Sequence, residues 1–526
     1  MLPVMLMDEL HEPVDVVVVG VGACGGLMLK ELAEASLKVV GLDAGPRYDP
    51  KSDFENDEAE MLKLLWSGTR VISGDDPINP WSGTGVGGGT LVWCGVVPRF
   101  HPNDFRLRSL FGVGHDWPIT YDDLEPYYTR VERDFGVAGL AGENPWEGPR
   151  RAPFPLPPIP FSYQAQVLAR GLEKLGGHPL HGPLAIASLP YQGRSACIYC
   201  GFCMQGCKSG AKSTTLITHV PKAEQRGARV IAHAFVHRID YDARRNRVSG
   251  VTYFDSEGRE HHIRARVVVV AAHAVETPRL LLLSANSTFP EGLANSSGLV
   301  GKNFMAHPIC TITGLFNQPL NGFKGPVMGD LITQDWYETD LNRGFVGGYT
   351  LEKFVPGPFF YASNMMNLWG ADLKEMIRHY AYAGGWWAVG EGLPNDENTV
   401  TLDPQVKDEH GLPVAHLHHS WSENDRRMIQ HAIQTAKDLL EAAGAWRVQA
   451  GPVSSAHPMG TVRMGNDPRT SVVNAFGQSH DIPNLFITDT SVFPTGGGTN
   501  ITLTAMAIAL RASEYLCEQL RLGNLN

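Results

Sequence analysis

Charge, cysteine and long apolar runs are all scarce in this chain of 526 residues. Only 19 % of its residues are charged, and they sum to a net charge of −11. The missing positive charge argues against a nucleic-acid partner, because neutralising phosphates takes a basic surface. The longest apolar stretch, Val16 to Leu29, is too short and too rich in glycine to cross a bilayer. The opening MLPVMLMDELHEPVDVVVVG has neither a basic start nor a small-residue cleavage site, so it does not read as an export signal. No internal repeat and no low-complexity tail is found. The 20 histidines lack metal-ligand spacing, and the pairs His261-His262 and His418-His419 read as exposed turns or strands. Cysteine numbers eight. Cys24, Cys94, Cys310 and Cys517 are scattered, which does not look like a disulfide framework. The other four crowd into CIYCGFCMQGC, residues 197–207.

What is present begins at Val14-Asp15-Val16-Val17-Val18-Val19, a β-branched run expected of a buried parallel strand. It enters Gly20-Val21-Gly22-Ala23-Cys24-Gly25, then an amphipathic helix from Leu27 to Ala35. A second strand, Lys38 to Leu42, ends at Asp43. Strand, G-x-G-x-x-G, helix, strand and acid fall in the order of a dinucleotide fingerprint. Gly20, Gly22 and Gly25 let the backbone turn and approach a pyrophosphate at a helix N-terminus, and Asp43 can accept from a ribose diol. A second glycine-rich segment, Gly83 to Thr90, permits close backbone approach along an extended ligand. That favours a flavin dinucleotide over NAD.

Further pieces of the same domain lie far along the chain. Val267 to Ala272 reads as a buried strand leading into the helix that opens at Glu276. Asn484 to Asp489 reads as another, followed by Gly496-Gly497-Gly498-Thr499-Asn500 and a helix from about Thr502 to Leu520. The expected fold class is α/β: a discontinuous Rossmann-like nucleotide domain with an inserted α+β substrate domain. Residues 12–110, 210–305 and 450–526 are assigned to the nucleotide domain, 111–209 to an insert with the cysteine loop, and 306–449 to the substrate domain.

The segments VVVVGVGACGG, GLDAG, GTGVGGGTLVW, WPITYDDLEPYY, VVVVAAHAVETPRLLLLS, GLVGKNFMAHP, ENTVTLDP, HPMGTVRMG and NLFITDTSVFPTGGGTN resemble those of the GMC (glucose–methanol–choline) oxidoreductases, in this order and over nearly the whole chain. Within that family the chain looks most like the large, flavin-bearing subunits of bacterial sugar and sugar-acid dehydrogenases. The resemblance implies FAD, with Gly87, Gly88, Thr90 and Trp93 in the second loop, Val236 beside the adenine, and Asp489 near the ribityl or phosphate groups. Val92 stands where some relatives carry a histidine bonded covalently to the flavin, so non-covalent FAD is expected. His273 stands where AAGA is more usual and reads as a histidine hydrogen-bonded at a strand end. The helix opening near Thr502 is expected to direct its N-terminal amides at the flavin.

Oxidising an alcohol needs a hydride acceptor, supplied by the flavin, and a base for the hydroxyl proton. In HPMGT the resemblance implies His457 as that base, and Asn500 as the residue that orients the substrate oxygen. Cys197, Cys200, Cys203 and Cys207 are spaced C-x2-C-x2-C-x3-C, the bacterial ferredoxin run. Lys208 replaces its proline, and no second run exists. An iron–sulfur cluster is expected, either 3Fe–4S on three cysteines or 4Fe–4S on four, with zinc or unligated thiols as alternatives. A cluster passes electrons one at a time, which suits a dehydrogenase of sugars, glycosides, sugar acids or polyols that reduces a cytochrome or quinone. A pyranose-oxidase-like oxidase and a lyase with structural FAD are the competing readings. By resemblance the partners are a small subunit bearing an export signal and a cytochrome c subunit. That implies a periplasmic location by co-export, with a cytoplasmic one as the alternative. The aromatic stretch FVPGPFFYASNMMNLW reads either as a sugar site or as hydrophobic sheet core.

Overall fold

The computed structural model describes residues 12–76, 78, 80–365 and 367–525. Two principal sheets contribute to the walls of one cavity. The first is assembled from distant pieces of chain, in the spatial order Arg229–Ile231, Val39–Leu42, Val14–Val19, Glu260–Val270, Arg247–Phe254, Phe235–Asp242. Leu485–Ile487 also pairs with Glu260–Val270. Val14–Val19 lies parallel to strands on both sides, with Val17 opposite Val40 and Val268. Being covered on both faces, it carries no polar alternation and its valines are almost wholly buried. Each such side chain contributes about 1.5–3 kcal/mol.

The segment ARVIAHAFVHRI breaks at His233, whose φ is +54°, into Arg229–Ile231 and Phe235–Asp242. One sequence expectation shifts in detail. His419 is buried rather than exposed, its ring against Trp421.

The second sheet is antiparallel, in the order Arg447–Ala450, Met305–Leu315, Ala383–Gly390, Tyr349–Phe354, Met328–Thr333, with Ser454–Met459 also on Met305–Leu315. Side chains alternate across it, as the strand period of two requires. Cys310, Ile312, Leu351, Trp386 and Ala388 pack outward with the helices Tyr163–Lys174 and Glu423–Ala442. Ile309, Thr311, Phe354 and Trp387 face inward, into that cavity. The aromatic stretch after Phe354 leaves the sheet but shares in its core, with Val355, Tyr361 and Met365 buried in one cluster with Leu315 and Ala383. It forms the helix Pro358–Ser363 and turns, with Phe360, Ser363 and Asn364 at the cavity wall. A small third sheet joins Thr399–Lys407, Pro413–His418 and Val71–Ser73. Among the described residues no helix is long and apolar enough to cross a membrane.

Candidate active site

The nucleotide end is built by backbone meeting backbone. Gly20 turns at φ +88°, where an added Cβ would lie 2.4 Å from the Ala271 carbonyl oxygen. The helix Ala23–Glu34 starts directly after Gly22. A Cβ on Gly88, at φ +50°, would lie 2.7 Å from Gly22 Cα, so the two glycine loops touch. They open on a cavity of about 750 Å³. Gly20, Gly22, Asp43, Gly88, Thr90, Trp93, Val236, Asp489, His457 and Asn500 all line it. Gly25 and Gly87 lie behind the wall. Gly25 lets the helix close on the Gly20 carbonyl, and Gly87, at φ +112°, gives way to Leu91.

Both acids at this end are already engaged. Asp43 accepts from the backbone N–H of Val21 and of Gly45, each at 2.9 Å. Asp489 accepts from the His273 N–H at 3.1 Å, the Thr277 hydroxyl at 2.5 Å and the Ser491 N–H at 2.8 Å. Burial pushes both carboxyls above the ordinary range, against these hydrogen bonds. His273 is held at the strand end at φ +83°, its Nε2 3.4 Å from Ser82 Oγ, and burial pulls it down to about 3. Val92 lies in the wall, and Thr90 is pinned by its hydroxyl to the Gly87 carbonyl at 2.6 Å.

At the far end stand His457 and Asn500. Ala456 pairs with His307 across the sheet, and the register then slips between Ala456 and Met459. That bulge holds His457 at φ +57° and turns its ring out of the ladder into the cavity. Its neighbours are Trp387, at 6.0 Å between ring centres, and His307, whose Nδ1 lies 3.0 Å from His457 Nδ1. Burial with no charged partner pulls His457 down to about 4, so the ring is neutral at ordinary pH. Asn500 is buried, and its Oδ1 has no hydrogen-bond partner. Beneath it lies Glu352, fully buried, its carboxyl pushed up to about 8 by that burial, with a hydrogen bond from the Asn500 amide acting the other way. The cavity, its glycine cradle and the unpartnered Oδ1 of Asn500 suit an extended dinucleotide with a reacting ring between His457 and the loop around Gly88.

Sequence comparison settles the family. Two family models described as GMC oxidoreductase match, one over residues 15–309 and the other over residues 394–509. The chain belongs to the GMC oxidoreductase family. It is an FAD-dependent oxidoreductase acting on CH–OH donors. It is 35% identical to 2-methyl-1,2-propanediol dehydrogenase of Mycolicibacterium austroafricanum, over 97% of this chain and 96% of that one. It is 33% identical to the fructose dehydrogenase large subunit of Gluconobacter japonicus, over 97% and 98%, and 29% identical to the gluconate 2-dehydrogenase flavoprotein of Pantoea cypripedii, over 98% and 95%. Pyridoxine 4-oxidase from Mesorbium loti shares the fold, with a TM-score of 0.68 at 16% identity over 95% of this chain and 99% of that one.

In this GMC oxidoreductase, Cys197, Cys200, Cys203 and Cys207 surround one small void together with Ser209 and Lys212. The loop wraps them through left-handed residues at Tyr199, Gly201, Gly206 and Cys207. Backbone N–H groups point at the sulfurs: Tyr199 to Cys197 at 3.4 Å, Lys212 to Cys207 at 3.3 Å, and Val327 to Cys203. Burial pushes the Cys203 thiol up to about 12 and Cys197 to about 11. Met204, next to Cys203, lines the large cavity itself, as does Cys94. Among the described residues no group of three or more His, Cys, Asp or Glu side chains is arranged to hold a single metal ion.

Sequence reasoning assigned no chemistry to His307, Glu352, Lys212 or Cys94. His307 sat within GLVGKNFMAHP with no periodic signal to mark it. Glu352 looked like any charged residue, because nothing local marks it as buried against Asn500.

Proposed function

We propose that this oxidoreductase is a dehydrogenase that oxidises a secondary or anomeric hydroxyl of an uncharged sugar, glycoside or polyol, with non-covalent FAD and an iron–sulfur cluster held by Cys197, Cys200, Cys203 and Cys207. One observation carries the reading: His457 and Asn500 line the same cavity as the nucleotide fingerprint. Bound there, FAD would accept hydride from the carbinol carbon, and the cluster would carry electrons singly to a redox partner.

The chain's own residues do the rest. His457, neutral and facing the cavity, takes the hydroxyl proton. Asn500, whose Oδ1 has no partner, orients the substrate oxygen. Ile309, Met328, Phe354 and Trp387 keep water from the reacting carbon. The helix Thr502–Arg521 opens at the cavity wall, and its positive end favours negative charge there. The charged lining residues are already engaged: Asp43 and Asp489 by the donors above, and Arg70 and Arg279 by Glu276. A sugar acid therefore finds no countercharge beside His457, which supports a neutral substrate. The relatives named for a diol and for fructose support it, while the relative named for gluconate, a sugar acid, does not.

The cluster is supported by four thiols around one void and by N–H donors aimed at three of them, which favour thiolates over thiols. A cluster carries its own sulfide between the irons, so its cysteines need not converge on a single point as they would on zinc. A relative named as a large subunit supports a multi-subunit assembly. In it a small subunit carries the export signal, a cytochrome c subunit takes the electrons, and the enzyme works in the periplasm.

The test is EPR on anaerobically purified protein with iron analysis, followed by a panel of sugars and polyols with an artificial acceptor. A signal that vanishes on reduction marks 3Fe–4S, and one that appears on reduction marks 4Fe–4S. Absence of iron removes the cluster. Stoichiometric peroxide would identify an oxidase, and a flavin that no substrate bleaches would identify a lyase.

A further inference from the structure

The contact between His307 and His457 fixes more than the position of a ring. His307 lies fully buried behind the cavity wall, on Met305–Leu315, while His457 lies in the wall. The Nε2 of His307 is 3.3 Å from the carbonyl oxygen of Gly496, and its Nδ1 is 3.0 Å from His457 Nδ1. A carbonyl oxygen accepts and never donates, so the proton of the neutral His307 ring sits on Nε2. Its Nδ1 is then a bare acceptor. The facing Nδ1 of His457 must carry the proton, because two bare nitrogens at this distance would repel. A neutral imidazole has a single N–H, so the other nitrogen of His457, Nε2, is left with its lone pair free. A buried, neutral His307 is what the surroundings favour: burial and the His457 ring beside it both act against a charge there.

We propose that His307 is a positioning residue that sets the tautomer of His457, through a chain running from the Gly496 carbonyl to His307 Nε2–H, and from His307 Nδ1 to His457 Nδ1–H, leaving His457 Nε2 as the unprotonated atom that accepts the substrate proton. The chain uses no carboxylate. When His457 takes the substrate proton on Nε2 it keeps its Nδ1–H bond to His307, so only one proton moves and His307 never changes charge. The loop Gly496–Gly498 thus serves the site twice. It leads to Asn500, and its first carbonyl anchors the tautomer of the opposite residue. A Cβ on Gly496 would lie 3.2 Å from His307 Nε2, so there is little slack in this anchor.

The inference rests on His457 as the base, and the experiment separates the two. His457→Ala tests the base. His307→Ala, His307→Leu and His307→Asn test the chain, with FAD content, KM, and the rate of anaerobic flavin reduction measured on holoenzyme. His307→Ala and His307→Leu are expected to slow reduction about 10- to 100-fold with KM and FAD content near those of the unaltered enzyme. His307→Asn, whose amide oxygen can accept from His457 Nδ1, is expected to recover most of the loss. Reduction unchanged in His307→Leu, while His457→Ala is inactive, would overturn the chain and leave the base in place. Should the variants fail to fold, the ¹⁵N spectrum of histidine-labelled unaltered holoenzyme still decides. A His457 resonance with protonated Nδ1 is expected, and one with protonated Nε2 overturns the proposal.

Discussion

Lys212 donates from its ammonium group to the carbonyl oxygen of Trp93 at 2.9 Å. It also reaches the Leu91 carbonyl at 2.8 Å, and its backbone N–H points at Cys207 Sγ. One residue thereby ties the cavity wall to the cysteine loop. Burial pulls its ammonium down to about 8, with Cys207, Cys203 and Cys94 acting the other way. Thiolates in that loop would hold the charge in place.

Replacing Lys212 with Met leaves two buried carbonyls without a donor, a cost of about 1–3 kcal/mol each. Lys212→Met is expected to melt at lower temperature and to lose flavin and iron together. Thermal unfolding, the flavin-to-protein absorbance ratio and iron analysis check this. A variant that kept both groups at full occupancy would show that the tie does not matter.

His457→Ala removes the proposed base. It is expected to keep FAD and to slow flavin reduction by substrate about 10³-fold, in the range for a general base. Stopped-flow reduction under anaerobic conditions measures it. Near-normal reduction would move the base elsewhere.

Gly88→Ala puts a methyl group 2.7 Å from Gly22 Cα at a positive φ, forcing the two cofactor loops apart. The expected result is weaker FAD binding, by about 10-fold or roughly 1.4 kcal/mol. Flavin fluorescence on dilution reports it, and unchanged retention would contradict the cradle.

Val92 has no atom able to bond a flavin ring. All FAD is expected in the supernatant after acid precipitation. A yellow pellet would mean a covalent link through some other residue.

Glu352 gives stability a pH dependence of definite sign. Its folded pKa, about 8, lies above its unfolded value of 4.5, so the folded chain holds a proton that the unfolded chain releases between them. That contribution is complete below 4.5 and is lost as pH rises through about 8. Glu352→Gln cannot ionise. Relative to the unaltered protein, the variant is expected to gain in melting temperature as pH rises across that window. A difference independent of pH would mean that Glu352 is ionised when buried.

His457 predicts the opposite limb. Its depressed pKa, about 4, leaves it neutral and competent above that value. Flavin reduction is expected to hold level through neutral pH and to fall on acidification toward pH 4. A fall centred near 6.5 would mean an ordinary, unburied histidine.

How much of this was legible in the sequence depends on how local the signal is. The buried strand at Val14–Val19, the turn through Gly20 and the helix after Gly22 announce themselves, because β-branched runs and glycine spacing act within a few residues. The discontinuous nucleotide domain was legible for the same reason, each of its pieces carrying its own strand-to-loop pattern. The cysteines of 197–207 were visible as a spacing.

Only the tertiary structure decided what those pieces do to each other. Gly25 and Gly87 belong to the fingerprint loops but stand behind the wall, since close packing rather than cofactor contact is what demands glycine there. Asp43 and Asp489 are taken up largely by backbone donors. Glu352 is a common residue type made uncommon by burial beneath Asn500, and His307 gains a role only because a register slip between Ala456 and Met459 turns His457 toward it. Short-range propensity is written along the chain. Burial, the pKa of a buried group and the tautomer of a ring are set by neighbours more than a hundred residues away, and these exist only once the sheets have closed over the cavity.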